Sequence, residues 1–286
     1  MIARQLPQAS LQIPPYILLN PRIPVPEGGY LGNEWNAFRV FRPGEKVANL
    51  SSPVPDERLQ KRLAGLDVIS RQFALRRPLA EQVTLQQELT QRAVTMMQSE
   101  QLAAFQLDSE PAALQDSYGR NDFGRGCLVA RRLVETGVRV VEVMLPGFDT
   151  HISNHTGHIT QCQILDPAMS SLLQDLRQRD LLQSVIVLCI SEFGRTPRIN
   201  GHLGRDHWPE AWSLVTAGCG IKRGLVVGET HASGTYVTTE PYDIGHLFHT
   251  WFHALGIDST KVEYDNHGQP LPIANERCQP IKSLLA

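Results

Sequence analysis

The sequence has few cysteines, and their spacing argues against a disulfide framework or a zinc ribbon. There are five cysteines in 286 residues. None belongs to a C-x-x-C pair, and an odd number cannot all pair within one chain. Three lie in apolar runs, where a free thiol packs as a small hydrophobic group. We therefore expect neither a cysteine scaffold nor a cysteine-based metal site.

The sequence also lacks a long apolar run. No stretch approaches the roughly 20 apolar residues that a membrane-spanning helix needs. The first 20 residues, MIARQLPQASLQIPPYILLN, contain one early arginine, but glutamine and proline interrupt the apolar core that a signal peptide requires. We expect no membrane span and no export signal, and the cellular compartment stays undecided.

An excess of positive charge is absent as well. The formal net charge is −2, and no stripe of lysine and arginine interleaved with aromatic residues is found. A nucleic-acid-binding surface needs such a basic patch, so we expect no nucleic acid as partner. The hydrophobic content is 42%, enough to bury one large core or two small ones.

Composition divides the chain into three segments. Residues 1–56 are rich in proline, glycine and asparagine, which predicts an extended, loop-rich segment packed on a core that the rest supplies. Residues 57–118 have apolar positions at helical spacing, and we expect two amphipathic helices broken near Pro78. Residues 119–286 alternate between helical and strand patterns and form the predicted α/β core.

The alternation in the third segment predicts its fold class. Helical patterns cover residues 124–137, 159–182 and 241–257, and the first is expected to end at Gly137. Runs rich in β-branched residues at 138–145, 184–190 and 212–220 predict strands. Strands that alternate with helices indicate an α/β layered fold with a largely parallel sheet flanked by helices.

Polar clusters follow two of these strands. Asp149 and His151, with His155 and His158 nearby, come after the first strand in PGFDTHISNHTGH. Glu192, Arg195, Arg205, Asp206 and His207 come after the second strand in SEFGRTPRINGHLGRDHWP. Ligand sites of parallel sheets collect at the carboxyl ends of the strands. We therefore expect these side chains to converge.

Carboxylates and imidazoles in such a cluster favour a divalent metal such as zinc, manganese or calcium. The predicted ligands are Asp149, His151, Glu192, Asp206 and His207. A metal at this edge can polarise a phosphoryl or sulfuryl oxygen and activate water. Arg195 and Arg205 are the predicted catalytic cations, because a guanidinium group binds an oxyanion through two hydrogen bonds.

Structural roles for the same residues stay open. Asp149 can cap the following helix, Glu192 and Arg195 can form an ion pair within one loop, and Asp206 can do no more than orient His207. Three other histidines recur at helical spacing, and we expect them to pack against the sheet: His246, His249 and His253. Two more are expected to be solvated in loops: His202 and His231.

Five segments in order resemble the domain of unknown function 1501 family: GCLVARRLVETGVRVVEV, DTH, SEFGRTPRIN, GRDHWP and AGCGIKRGLVVGET. The resemblance is closest over residues 118–273. It implies membership of the alkaline phosphatase and sulfatase superfamily, with its layered α/β fold and metal ligands at strand ends. It also implies that relatives are commonly exported. Phe148 stands where the family usually has tryptophan before DTH, which keeps an aromatic side chain.

The resemblance leads us to expect a missing N-terminal segment, because members normally carry an earlier strand, an early metal-binding aspartate and a nucleophile. Loss of the nucleophile would make the chain weakly active or inactive. The main hypothesis is a metal-dependent hydrolase of phosphate or sulfate esters, acting on a small anionic ester or on a sulfated or phosphorylated glycan. The alternative is a degenerate, non-catalytic module that binds an anionic glycan or a protein partner. A cofactor-independent phosphate mutase, suggested by SNHTGH, ranks last.

Overall fold

A three-stranded parallel sheet lies at the centre of the computed structural model, which describes residues 1–22, 27–75, 80–266 and 268–286. The strand order is β2-β1-β3, with β1 at Tyr16–Leu19, β2 at Phe38–Val40 and β3 at Val140–Val143. Ile17, Leu18 and Leu19 are fully buried. A parallel strand covered on both faces is apolar throughout, as YILL is. The segment 1–56 therefore supplies two of the three strands and does more than line the core.

Helix α5 at Asp122–Thr136 packs on β3, and α4 at Ala112–Tyr118 and α6 at Asn154–Gln178 pack on α5. The Asn121 side chain accepts a hydrogen bond from the Gly124 N–H and so caps the start of α5. Gly137 ends α5 with a φ of 104°, a left-handed conformation that favours glycine. The predicted helix and its stop are confirmed. Leu128, Val129 and Leu133 bury its apolar face.

Two further helices confirm the prediction for the second segment. They are α2 at Asp56–Leu75 and α3 at Ala80–Met97. The predicted break near Pro78 lies outside the described residues. Helix α3 ends at Met97, although the apolar helical spacing continues to Phe105. The Ser99 side chain accepts a hydrogen bond from the Gln101 N–H and so starts a separate 3-10 helix at Glu100–Phe105.

The expectation of a largely parallel sheet is wrong for the later strands. Strand β4 at Ile186–Cys189 pairs with β7 at Val215–Gly218, and this pair is antiparallel and separate from the β2-β1-β3 sheet. A parallel connection needs a crossover, usually a helix. Residues 190–214 contain no helix, only the short strands β5 at Gly194–Arg195 and β6 at His207–Trp208. The chain is therefore a mixed α/β protein with a small parallel sheet.

The histidines of the closing helix do not pack as predicted. Helix α7 runs from Ile244 to Ala254, followed by the antiparallel strands β8 at Val262–Asn266 and β9 at Gln269–Pro272. Leu247 and Trp251 face the partly buried Ile186 of β4. His249 is buried elsewhere and contacts Ser259 Oγ at 2.7 Å and the Asn275 carbonyl at 2.9 Å.

The two other histidines of α7 also lie away from the sheet. His246 belongs to the cap at the start of the helix, and His253 is exposed. The helical spacing of the three histidines does not predict these positions. The residues of α7 that face β4 are the apolar ones, Leu247 and Trp251. A short N-terminal helix, α1 at Ile2–Gln5, packs through Met1 and Ile2 on the cluster around Phe252.

Two absences expected from the sequence agree with the structure. All five cysteines are free thiols, and burial raises the pKa of Cys127 to about 12, which keeps that thiol protonated. Among the helices of the described residues, none has the length and apolar character to cross a membrane.

A buried ion-pair network joins α4, α5 and α6. The Arg131 side chain is 2% exposed and lies 2.7 Å from Glu110, 2.5 Å from Glu135 and 3.0 Å from Asp175. Asp175 also accepts a hydrogen bond from the Tyr118 hydroxyl at 3.1 Å. Two more arginines complete the network. Arg132 forms an ion pair with Glu110, and Arg179 forms ion pairs with both Asp175 and Glu135. Three arginines therefore neutralise three carboxylates in this interior.

We expect acid to weaken this network. Burial alone would raise the pKa of Glu110, but hydrogen bonds from Arg131 and Arg132 outweigh burial and leave the pKa below its ordinary value. A carboxyl group whose pKa falls on folding stabilises the protein above its unfolded pKa, about 4.3 for glutamate, and loses that contribution as the pH drops further. Melting temperatures measured from pH 7 to pH 3 should fall more steeply for the wild type than for Glu110→Gln. Parallel curves would contradict the assignment.

Candidate metal centre

A two-stranded ribbon positions one half of the site. Strands β5 and β6 are antiparallel, and their register places Arg195 opposite His207. Residues opposite each other on a ribbon share one face, so both side chains project to the same side. The Thr196 N–H donates to the Asp206 carbonyl at 2.9 Å, which extends the ribbon by one step.

The loop after β3 is fixed against the loop that joins β5 to β6. The Arg205 N–H donates to the Thr150 carbonyl at 3.0 Å, and the Asn154 N–H donates to the Leu203 carbonyl at 2.9 Å. Ile152 and Leu203 form an antiparallel bridge between these contacts. Backbone hydrogen bonds thus hold the DTH segment beside the ribbon.

Gly204 makes this close approach possible. A Cβ atom at position 204 would lie 1.8 Å from the His151 carbonyl oxygen, and Gly204 itself is buried. No side chain fits there without separating the two loops.

We expect Gly204→Ala to displace the two loops and to destabilise the protein by about 1–3 kcal/mol, the usual cost of overpacking. Thermal unfolding measures the loss, and a metal titration of the same variant reports whether the cluster is disrupted. Gly201→Ala is the matched control, since a Cβ there meets nothing within 4 Å. Equal behaviour of the two variants would contradict the packing role of Gly204.

Three ligand-type atoms converge at this junction. Asp149 Oδ1 lies 3.0 Å from His151 Nε2 and 3.0 Å from His207 Nε2, and the two Nε2 atoms are 3.2 Å apart. Arg195 Nη2 lies 2.6 Å from the same Asp149 oxygen. The side chains of Asp149, His151 and His207 are 66%, 45% and 49% exposed, whereas that of Arg195 is only 17% exposed.

Asp206 determines which nitrogen of His151 carries the hydrogen. His151 Nδ1 lies 2.8 Å from Asp206 Oδ1, and an ionised carboxylate only accepts hydrogen bonds. Nδ1 is therefore the donor, and in the neutral ring Nε2 presents a lone pair to the Asp149 oxygen. A proton or a metal cation between these two acceptors relieves their repulsion, as does a hydrogen on the neighbouring His207 Nε2. Metal-binding histidines have this arrangement, with the second ring nitrogen donating to a carboxylate.

The surrounding charges keep both carboxylates ionised. Hydrogen bonds from His207 and then from Arg195 lower the pKa of Asp149 to about 2. Hydrogen bonds from His151 and then from Asn200 lower the pKa of Asp206. Both groups are therefore available as negatively charged ligands or hydrogen-bond acceptors at neutral pH.

Three of the predicted site residues are not among the converging ligand atoms: Asp206, whose carboxylate contacts His151 Nδ1, and Glu192 and Arg205. Glu192 is exposed and forms no hydrogen bond or ion pair among the described residues. Arg205 donates through Nη1 to the carbonyl oxygens of Thr196 and Pro197, the second at 2.5 Å, so its guanidinium group braces the loop. Neither arrangement tests the predicted metal or catalytic role, which stays a prediction.

The structural alternatives named for the other residues also do not match the geometry. Asp149 does not cap α6, because the cap residue is Ser153. Arg195 pairs with Asp149 and not with Glu192. Asp206 contacts His151 and not His207, so it orients a different histidine from the one expected.

The remaining histidines of the two loops lie outside the group. His155 is exposed, and the ring of His158 packs edge-on against Phe148 with centroids 5.4 Å apart. His202 and His231 are exposed in loops, as predicted.

Sequence reasoning missed Asn200. Its Nδ2 donates to the His151 carbonyl at 3.0 Å and lies 3.2 Å from Asp206 Oδ1. Its Oδ1 accepts from the N–H groups of His202 and Gly204, both at 2.9 Å. Asparagine followed by glycine in RINGHLG is a turn signal that could have drawn attention to it. One side chain thus ties together both loops of the site.

The three converging atoms have the spacing of a coordination shell. A tetrahedral zinc ion with ligands at about 2.0–2.1 Å separates them by roughly 3.3 Å, close to the 3.0, 3.0 and 3.2 Å found here. Two imidazoles and one carboxylate match the ligand preferences of zinc, manganese and iron. The residues therefore fit a divalent metal.

A second group of three ligand-type side chains has a structural explanation. Asp243, His246 and Cys278 lie together at the start of α7. The Asp243 carboxylate accepts from the N–H groups of Gly245 and His246, and His246 Nδ1 accepts from the Asp243 N–H at 3.2 Å. The Cys278 thiol donates to the same carboxylate at 3.3 Å. This is a helix cap whose members are all hydrogen-bonded.

Comparison with known proteins gives one family. Searches among curated proteins and among solved structures find no match to this chain. The model of one family, described as "Protein of unknown function (DUF1501)", matches residues 1–285. The match includes β1 and β2 as well as both loops of the candidate metal centre. The chain therefore belongs to the DUF1501 family.

Proposed function

We propose that the chain binds one divalent metal through Asp149, His151 and His207 and hydrolyses phosphate or sulfate esters there. The observation that carries the proposal is the triangle of ligand atoms, 3.0, 3.0 and 3.2 Å on its sides. The two imidazoles favour zinc or manganese over calcium, which prefers oxygen ligands.

The residues around the triangle have distinct tasks in this proposal. Asp206 holds the Nδ1 proton of His151 and leaves Nε2 free to coordinate, and Asn200 fixes Asp206. Arg195 lies over the Phe193 ring at 5.9 Å and reaches Asp149. Its guanidinium group is placed to contact a phosphoryl or sulfuryl oxygen beside the ligands. Glu192 and Arg205 enter the site only if their loop rearranges when an ester binds.

Charge also supports an anionic substrate. Two carboxylates and one arginine give the group a charge of −1, which a divalent cation converts to +1. A bound divalent metal supplies a Lewis acid that polarises an ester oxygen and activates water. The high exposure of the three ligands leaves room for a bulky ester such as a substituted glycan.

We include the alkaline phosphatase and sulfatase superfamily in the proposal. The small parallel sheet, the helices on it and a ligand loop after β3 are compatible with that fold. The resemblance of DTH and GRDHWP to the family's ligand segments supports the same assignment.

The test is release of phosphate and sulfate from nitrophenyl esters by the purified chain supplied with zinc or manganese. We expect metal-dependent release that Asp149→Ala and His207→Ala reduce by about 100-fold or more, since either change removes a ligand. His202→Ala, an exposed histidine of the same loop region, should act as wild type. Turnover that survives in the Asp149→Ala variant would refute the catalytic assignment.

A non-catalytic binding module is the second candidate. The exposure of the ligands favours this function, because efficient catalysis usually takes place in an enclosed site that excludes water. The guanidinium group of Arg205 favours it as well, because it is hydrogen-bonded to its own loop. Stoichiometric metal binding without release of phosphate or sulfate, combined with binding of a sulfated glycan that a chelator abolishes, would select this function.

A further inference from the structure

A groove runs between α6 and β7, and none of the proposed metal ligands lines it. It is an open groove of about 690 Å³ and is lined on one side by Leu173 and Arg177 of α6. The other side consists of β7 and the segment after it, including Thr216, Lys222 and Arg223.

The wall formed by β7 is an open strand edge. The Cys219 N–H donates to the Val185 carbonyl at 3.0 Å, which marks these two residues as a hydrogen-bonded pair of the β4–β7 ladder. Hydrogen-bonded and non-hydrogen-bonded pairs alternate along an antiparallel ladder. Ala217 therefore bonds to β4, and the backbone N–H and C=O of Thr216 point away from β4. No other strand of the described residues pairs with this outer edge.

A hydroxyl group on the same residue is also unsatisfied. Thr216 Oγ1 is buried and has no hydrogen-bond partner. Buried polar groups are nearly always hydrogen-bonded, so an unsatisfied hydroxyl beside an open edge is a sign that a partner completes it.

The groove carries charge of one sign. Arg177, Lys222 and Arg223 are exposed and form no ion pair with the described residues, and the lining contains no carboxylate. Their positive charges complement an acidic partner and argue against a second copy of β7, which would bring the same cations together.

We propose that this groove binds an extended acidic peptide segment of a partner protein, which adds to the outer edge of β7 as a further strand. Backbone groups of the peptide pair with Thr216, its acidic side chains contact Arg177, Lys222 and Arg223, and an apolar side chain packs on Leu173 and Leu182. Strand addition to an exposed sheet edge is a common mode of peptide recognition. The inference is independent of the metal centre and of ester hydrolysis.

The test uses a fluorescein-labelled synthetic peptide of about eight residues that alternates valine and glutamate, titrated with the whole chain and read by fluorescence anisotropy. Thr216→Pro removes both the outward N–H and the side-chain hydroxyl, and proline is tolerated on an edge strand whose N–H faces outward. We expect it to weaken binding about tenfold or more. Thr216→Val keeps the N–H and removes only the hydroxyl, so it should weaken binding clearly less than Thr216→Pro.

The charge test uses Arg177→Glu with Lys222→Glu, which should weaken binding by about tenfold or more and remove the loss of affinity that added salt causes in the wild type. A peptide alternating valine and lysine should not bind. Unchanged melting temperatures would show that the variants fold.

Three results would overturn the proposal: absence of binding by the acidic peptide, equal affinity of the Thr216→Pro variant and the wild type, or self-association of the free chain that Thr216→Pro abolishes. Displacement of the peptide by millimolar inorganic phosphate alone, equally in wild type and Thr216→Pro, would also overturn it, because it identifies a small-anion site.

Discussion

Replacing His151 with alanine is expected to lower the affinity of the chain for zinc or manganese by more than about 100-fold. Its Nε2 is one corner of the ligand triangle, and loss of a second-shell partner alone typically costs 10–100-fold in metal affinity. His207→Ala removes another corner and should have an effect of the same size. Isothermal titration calorimetry of each variant against the wild type measures the change.

A graded series separates a metal site from a surface cluster. Asp206→Ala leaves all three ligands in place but releases the His151 ring, so we expect a smaller loss, about 10–100-fold. His202→Ala should leave the affinity unchanged. If the Asp206 and His151 variants both bind metal as the wild type does, the three converging side chains are not its ligands.

Replacing Arg131 with alanine is expected to lower the free energy of unfolding by about 3–5 kcal/mol, the usual cost of leaving a buried charge without its partner. The Arg131 side chain is 2% exposed, and the side chains of Glu110 and Asp175 are 7% and 6% exposed. Both carboxylates would lose the most deeply buried of the cations that pair with them, in an interior that solvates them poorly. Urea unfolding followed by circular dichroism measures the change.

The matched control for Arg131 is an exposed ion pair. Lys61 and Glu57 pair at 2.6 Å on α2 with side chains that are 75% and 81% exposed. Exposed pairs contribute about 0–1 kcal/mol, so Lys61→Ala should change stability little. Similar effects of Arg131→Ala and Lys61→Ala would contradict a buried network that stabilises the contact between α4, α5 and α6.

Local signals allowed the helices to be predicted from the sequence. The apolar spacing of residues 57–75 and 122–136 and the glycine at 137 act within a few residues, and the structure has α2, α5 and the Gly137 stop where they were expected. Such features depend on neighbours along the chain and not on the tertiary fold.

Strand pairing could not be predicted in the same way. β1 is a four-residue run between prolines, and only its partners β2 and β3, 21 and 124 residues further on by register, make it the central strand. The direction of β7 relative to β4 depends on the path of residues 190–214, which no periodicity describes. Both features arise from contacts between distant segments.

The candidate site was predicted in part for the same reason. Position after a strand led us to expect Asp149, His151 and His207 in one group, and their ligand-type atoms do lie together. Position alone does not fix the direction of a side chain. Glu192 therefore lies outside the group, and Asp206 contacts Nδ1 of His151 and not the converging Nε2 atom. Arg195 lies beside the group because its register places it opposite His207, and its catalytic role stays a prediction.

The most direct test of the metal centre is a crystal structure of the chain grown with zinc, with diffraction data collected on both sides of the zinc absorption edge. We predict one anomalous peak about 2.0–2.2 Å from Asp149 Oδ1, His151 Nε2 and His207 Nε2. The absence of a peak there, with the three side chains still in contact with one another at saturating zinc, would contradict the account.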